Sequence, residues 1–323
     1  MRIVILDSFA ADQGDEGGFW AGLRALGELE VFARSDDDDV VARCRGAEAL
    51  LTNKVAFPAA RFATLPGLRY VGVLATGTNV VDLDAARAAG VAVTNVPSYA
   101  AASVAQHVMA LVLQFSQDVA GHTAAVKAGA WAASPDFCFF TREMFELAGK
   151  TLALVGSGAI GGAVARIAEA FGMRVVRAAV PGSPPRAGQS RTPLLEALPV
   201  ADVVSLHCPL TEATRGMVDA RFLMAMKPGA ILINTARGPL VDEAALIAAL
   251  ARGRLGGAGL DVLGEEPPPA DHPLCDARAP WAGRVVVTPH IAWGAIESRR
   301  RLAAEATENL RAFIAGARRN RVD

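Results

Sequence analysis

The stretch Lys150–Pro181, KTLALVGSGAIGGAVARIAEAFGMRVVRAAVP, constrains the fold more than any other part of the chain. A short apolar run, Thr151–Val155, leads into Gly156-Ser157-Gly158-Ala159-Ile160-Gly161. An Ala-rich segment with helical spacing follows, and a second apolar run, Arg174–Ala179, closes the unit. Strand, tight turn, helix and strand form the context in which G-x-G-x-x-G signals dinucleotide binding. Gly156 suits the tight turn, Gly158 the approach of a pyrophosphate to the backbone, and Gly161 close packing of helix on strand. The helix N-terminus then offers N–H groups and a positive dipole end to phosphates. Without that context, the same glycines would be an ordinary turn.

One expected part is missing. About 20 residues past the glycines, an Asp or Glu normally takes the adenosine ribose hydroxyls. Here the strand ends Arg177-Ala178-Ala179-Val180, with no acid, while Arg177, Arg186 and Arg191 lie nearby in sequence. The choice between NAD and NADP is therefore open.

A length of 323 residues suits two domains, and 52% apolar with 20% charged residues suits a large core. The net charge of −1 argues against general nucleic-acid or membrane-surface binding. Cys44, Cys138, Cys208 and Cys275 are widely spaced. They read as free thiols in a reducing compartment, with neither a metal site nor a disulfide framework. The first residues reach Asp7 and Asp12 too early for a signal peptide, and no apolar run is long enough to span a bilayer. The expectation is a soluble cytoplasmic protein.

Along the chain, strands are expected at Arg2–Leu6, Glu30–Ala33, Ala49–Thr52, Leu68–Leu74 and Val91–Thr94. Between them, helices are expected at Gly17–Leu26, from Ser35 or Asp36 (as cap) to Arg45, at Pro58–Leu65 and at Asp82–Ala89. This alternation predicts a small α/β domain with a parallel sheet of flavodoxin-like type. The loop Ala75-Thr76-Gly77-Thr78 follows a strand, where backbone N–H groups can hold a carboxylate or simply turn the chain. Ser98–Val126 reads as one long buried helix carrying His107 and His122, both read as structural. Gly129–Arg142 reads as an irregular aromatic connection.

Past the glycine unit comes a loop, Pro181–Arg191, and then more alternation. Strands are expected at Ala201–His207, Ala230–Asn234, Gly257–Val262 and Val285–Thr288. Helices are expected at Pro193–Leu198, Asp219–Met226, Asp242–Ala251 and Ala295–Ala315, with Arg299–Arg301 as a solvated face. The fold class is thus α/β with two Rossmann-like domains, and a doubly wound parallel sheet in the cofactor domain.

Four polar features sit at predicted strand ends: His207, Arg237, Asp261–Glu266 and His290. In such a sheet the carboxyl ends of the strands line one crevice. Reduction of a 2-keto acid needs a fixed cation for the carboxylate, and the planar fork of Arg237 suits. It needs a proton for the carbonyl oxygen, and His290 suits. It needs a carboxylate to orient that imidazole, and Glu266 suits. Each of these residues alone reads as a surface Arg, a helix-capping His or a loop Glu.

Seven segments now join: LATGTNVVDLDAA, VTNVPSYAAASVAQHV, ELAGKTLALVGSGAIG, ADVVSLHCPLTEATRG, MKPGAILINTARGPLVDE, GLDVLGEEPP and VTPHIAW. Together they resemble the D-isomer-specific 2-hydroxyacid dehydrogenases, most of all the glycerate dehydrogenase and hydroxypyruvate–glyoxylate reductase branch. The resemblance implies that Arg237 binds the substrate carboxylate and carbonyl, that His290 is the acid/base, and that Glu266 is its partner. It implies substrate contacts from the backbone of Ala75–Thr78. It implies cofactor contacts from Gly158–Gly161, Ala179, Val180, Cys208, Pro209, Thr235 and Asp261. It implies a discontinuous substrate domain, residues 1–99 plus 291–323, a dinucleotide domain, residues 100–290, and a homodimer built on the latter. The alternatives are a dinucleotide-sensing protein like the family's co-repressors, and a dehydrogenase of a bulkier D-2-hydroxy acid.

Overall fold

The computed structural model describes residues 1–14, 18–184 and 190–323. The chain divides into two compact units, residues 1–100 with 293–323, and residues 101–292. In chain order the first unit holds β1 (Arg2–Ile5), α1 (Phe9–Asp12), α2 (Ala21–Arg24), β2 (Glu28–Val31), α3 (Asp37–Cys44), β3 (Ala49–Thr52), α4 (Ala59–Thr64), β4 (Tyr70–Val73), α5 (Leu83–Ala88) and β5 (Ala92–Thr94). The second holds α6 (Ala101–Gln117), α7 (Val119–Lys127), β6 (Thr151–Val155), α8 (Ala159–Ala170), β7 (Arg174–Ala178), α9 (Leu194–Ala197), β8 (Val203–Leu206), α10 (Ala220–Ala225), β9 (Ile231–Asn234), α11 (Glu243–Ala251), β10 (Gly257–Leu260) and β11 (Val285–Val287). Helix α12 (Ile296–Ile314) returns to the first unit.

Both sheets are parallel throughout. The first has the order β2-β1-β3-β4-β5, the winding of flavodoxin-like sheets. The second runs β11-β10-β9-β8-β6-β7, the same winding with one strand more. After β6 the chain goes to β7 on one side, then crosses to β8 on the other. The carboxyl ends of β6 and β8 therefore flank the switch point, where such sheets bind ligands.

Strand β10, Gly-Ala-Gly-Leu, shows how the two faces of the second sheet are used. Ala258 and Leu260 point into a core with Phe222, Leu223, Leu246 and Leu250 from α10 and α11. Gly257 and Gly259 point the other way, towards Phe115 and Leu111 of α6. A Cβ at Gly257 would lie 2.5 Å from the Phe115 ring, so the missing side chains seat α6 directly on the sheet.

Several expectations are corrected. Ser98–Val126 is two helices, because Asp118 adopts a left-handed backbone (φ 46°) between α6 and α7. Gln114 Nε2 donates to the Asp118 carboxylate at 2.7 Å across this junction. The helix expected at Gly17–Leu26 is only α2, and Gly17 lies outside the described residues. β2 lies at Glu28–Val31, set by its pairing with β1, rather than at Glu30–Ala33. Asp36 is the N-cap position of α3 but makes no side-chain cap bond, and Ser35 Oγ donates instead to Leu6 O at 2.6 Å. Arg299 is not solvated. It is 8% exposed, and its guanidinium donates to Gly294 O (3.1 Å) and Ala11 O (2.8 Å). Such burial is possible because backbone carbonyls satisfy the donors.

Candidate active site

β6 ends in Gly156 at φ 108°, a conformation that L side chains rarely adopt. A Cβ there would also lie 2.6 Å from the His207 carbonyl at the end of β8. Gly158 is the N-cap position of α8, with Ala159 and Ile160 in its first turn. A Cβ on Gly158 would meet nothing within 4 Å, whereas one on Gly161 would meet Gly156 O at 2.2 Å. The turn is thus closed on the protein side and open above the α8 N-terminus, whose leading N–H groups have no acceptor within the helix. Among the described residues, Thr235 Oγ1 is buried without a partner. Open space over the leading N–H groups of α8, with an orphaned hydroxyl at the end of β9, fits a dinucleotide.

At the tip of β7, Ala179 N–H donates to Thr192 O at 2.8 Å, and Val180 is buried. Residues Arg177–Val180 at the tip include no acid. Arg177 leans towards Glu169, 3.9 Å away. Arg191 has a buried Nε with no partner among the described residues, and Arg186 lies outside them. Beyond β8, the Cys208 thiol is buried and pushed up to about 11 by desolvation. Pro209 O accepts from Thr214 Oγ1 at 2.8 Å. The His207 ring lies 2.9 Å from Ser205 Oγ, and desolvation lowers its pKa to about 4. His207 is therefore a neutral support under the glycine turn.

The turn after β9 presents Arg237. Buried Asn234 holds it: its Oδ1 accepts from Ala236 N–H (3.0 Å) and its Nδ2 donates to Arg237 O (2.9 Å). Arg237 Nη1 donates to Ala236 O at 2.7 Å. The next residue, Gly238, lies so close to the loop after β10 that a Cβ would sit 1.7 Å from Leu263 O. The Arg237 turn therefore packs directly on the loop that carries Glu266.

Glu266 Oε1 accepts from Leu263 N–H at 3.1 Å, and Oε2 lies 2.6 Å from His290 Nδ1. The two side chains are 31% and 28% exposed, so the pair is neither sealed nor free in water. With Nδ1 facing the carboxylate, Nε2 is the ring nitrogen turned away from Glu266. The Glu266 loop is itself tied down. Glu243 Oε1 accepts from Gly264 N–H (2.7 Å), and Glu243 Oε2 lies 3.2 Å from His272 Nε2.

Asp261 is 1% exposed, and its carboxylate takes three hydrogen bonds from the turn that carries His290. It accepts from Thr288 Oγ1 (2.5 Å) and Ile291 N–H (2.9 Å) at Oδ1, and from Ala292 N–H (2.8 Å) at Oδ2. These contacts give it a structural task at the His290 turn.

In the first unit, the Ala75–Thr78 loop follows β4. Ala75 O accepts from Val96 N–H at 3.0 Å, Thr76 Oγ1 donates to Val96 O at 3.0 Å, and Asn95 Nδ2 donates to Thr76 O at 2.7 Å. Trp293 packs edge-on against Tyr99, with ring centroids 6.3 Å apart.

The family model for the D-isomer specific 2-hydroxyacid dehydrogenase NAD binding domain matches residues 109–292, more than half of the chain. The chain belongs to the D-isomer specific 2-hydroxyacid dehydrogenases. Similar members include a hydroxypyruvate reductase from Blautia hydrogenotrophica, 40% identical over 98% of both chains. A glycerate dehydrogenase from Methylorubrum extorquens is 42% identical over 88% of each. Among solved structures, an NADPH-dependent glyoxylate/hydroxypyruvate reductase from Sinorhizobium meliloti, in complex with NADP and malonate, has a TM-score of 0.82. It is 28% identical, and the match covers 99% of this chain and 96% of that one. This D-2-hydroxyacid dehydrogenase thus carries the glycine turn, Arg237, Glu266 and His290 all within the matched NAD binding domain.

Sequence reasoning missed Asn234, Glu243, His272 and the internal role of Asp261 in this dehydrogenase. Asn234 had a local signal, since an Asn just before a turn commonly bonds the backbone two residues on. The others act across gaps of about 20 residues or more, which no local pattern reports.

Proposed function

We propose that the protein reduces small 2-keto acids with NADH or NADPH, taking hydroxypyruvate or glyoxylate to D-glycerate or glycolate. The observation that carries this reading is the 2.6 Å contact of His290 with Glu266, on a loop packed directly against the Arg237 turn. Names of relatives, hydroxypyruvate reductase and glycerate dehydrogenase among them, support the substrate class.

The glycine turn and the α8 N-terminus hold the pyrophosphate, with Ala179 and Val180 beside the adenosine ribose. Cys208, Pro209, Thr235 and Asp261 supply the remaining cofactor contacts. When bound, the reduced nicotinamide supplies a hydride for the substrate carbonyl carbon. Arg237 fixes the substrate carboxylate with its two-pronged guanidinium and faces the carbonyl oxygen as negative charge grows there. His290 Nε2 gives its proton to the carbonyl oxygen, and Glu266 holds the ring at Nδ1 throughout.

The functional protein is a homodimer of dinucleotide-binding units in the cytoplasm. Val119, Val126, Phe140 and Met144 are exposed large apolar side chains around one groove beside α7, a surface that a second copy would cover. The free cysteines suit a reducing compartment. No helix among the described residues is long and apolar enough to cross a membrane.

The test is oxidation of NADH and of NADPH, in parallel, with hydroxypyruvate, glyoxylate, pyruvate and phenylpyruvate. Fast turnover of either of the first two supports the reading. Turnover only with phenylpyruvate moves the substrate to bulkier acids. Tight dinucleotide binding without turnover makes the protein a sensor.

A further inference from the structure

We propose that Ser103 and His107, one turn apart on α6, are positioning residues that hold the turn carrying His290. The proposal rests on the acid/base reading of His290 given above. His290 has φ 54°, a left-handed backbone uncommon for a residue with a Cβ, and it persists only where the surroundings enforce it. Its own N–H donates to Asp261 O (2.8 Å) and Thr288 O (2.9 Å). Both ends of the turn are gripped as well. At the C-terminal end, Ser103 Oγ donates to Ala292 O at 2.6 Å. At the N-terminal end, His107 Nε2 lies 2.9 Å from Thr288 Oγ1 and 3.6 Å from Asp261 Oδ1.

Proton counting fixes the direction of that last contact. Thr288 has one hydroxyl proton, and the buried Asp261 carboxylate takes it at 2.5 Å. The Thr288 oxygen must then accept, so His107 donates from a protonated Nε2. The result is a chain from His107 Nε2–H to Thr288 Oγ1–H to the Asp261 carboxylate. That carboxylate also accepts the Ile291 and Ala292 N–H groups, the two peptide donors just past His290.

Residues four apart lie on one helix face, so Ser103 and His107 reach the turn together. Phe115 and Leu111 of the same helix are seated on Gly257 and Gly259 of β10, and Asp261 directly follows that strand. One rigid unit of helix and strand thus sets where the imidazole stands. An acid/base group displaced by about 1 Å loses on the order of a hundredfold in rate, which is why support of this kind acts on turnover more than on binding.

The experiment compares His107→Ala, His107→Gln, Ser103→Ala and His290→Ala in the full chain. The readouts are kcat and KM for hydroxypyruvate, the Kd for NADH, and amide exchange at Ile291 and Ala292. His107→Ala and Ser103→Ala are expected to lower kcat tenfold or more, leave KM and the NADH Kd within twofold, and speed exchange of both amides. His107→Gln is expected to restore most of the rate and protection, because its amide N–H can replace Nε2–H. Unchanged kcat and exchange in His107→Ala, or no recovery in His107→Gln, would overturn the proposal. Turnover surviving in His290→Ala would overturn the acid/base reading, and the positioning role with it. An inactive His290→Ala beside a fully active His107→Ala would overturn the positioning role alone.

Discussion

Oε2 of Glu266 lies 2.6 Å from Nδ1 of His290, although 24 residues separate them in the chain. Two different loops supply the partners, one after β10 and one after β11. In the proposed mechanism the contact turns Nε2 to the substrate and sets a negative charge beside the imidazolium. Glu266→Gln keeps the size and an acceptor but removes that charge. It is expected to lower kcat by about 10–100-fold with little change in the KM for the keto acid. Steady-state kinetics with hydroxypyruvate check this.

Gly238 joins the Arg237 turn to the Glu266 loop. Any side chain there meets the Leu263 carbonyl at 1.7 Å, and backbone cannot yield as a flexible side chain can. Gly238→Ala is expected to destabilise the protein by about 2–3 kcal/mol and to displace Arg237 and Glu266 together. A lowered Tm with loss of most turnover, measured on one preparation, is the expected pair of results.

The tip of β7 carries Ala179 where dinucleotide-binding sheets often carry an acid. Ala179→Asp provides a carboxylate for the ribose hydroxyls and a repulsive charge for a 2′-phosphate. The ratio of kcat/KM with NADH to that with NADPH is expected to rise by about tenfold or more, on the order of 1.4 kcal/mol. Parallel assays with the two cofactors measure it.

His207 makes stability depend on pH. Desolvation lowers its pKa from 6.5 to about 4, so the unfolded chain binds the proton first as pH falls. Its contribution is fully present above pH 6.5, declines below it, and is gone below about 4. The loss across that window is on the order of 3 kcal/mol. Denaturant unfolding of wild type and His207→Gln between pH 7 and 4 is expected to show a shallower decline in the variant, which still bonds Ser205 but does not titrate.

The repeating strand and helix pattern was legible because apolar runs and glycine stops are local signals. They placed the G-x-G-x-x-G turn between strand and helix and the polar residues at strand ends, whereas the order of the strands within each sheet is set by pairing between distant segments. Side-chain bonds between distant residues were not legible. Arg299 is buried against Ala11, Glu243 ties down the Glu266 loop, and Asp261 holds the His290 turn. In each case a polar residue took a partner that its neighbours in sequence did not announce.

The most direct test of the central claim is the single-turnover and steady-state rate of NADH oxidation by hydroxypyruvate in His290→Ala, with the NADH Kd measured alongside. The account predicts an unchanged Kd and a rate lowered by about 10²–10⁴-fold. A rate within a few-fold of wild type would remove His290, and with it the proposed acid/base chemistry, from this protein.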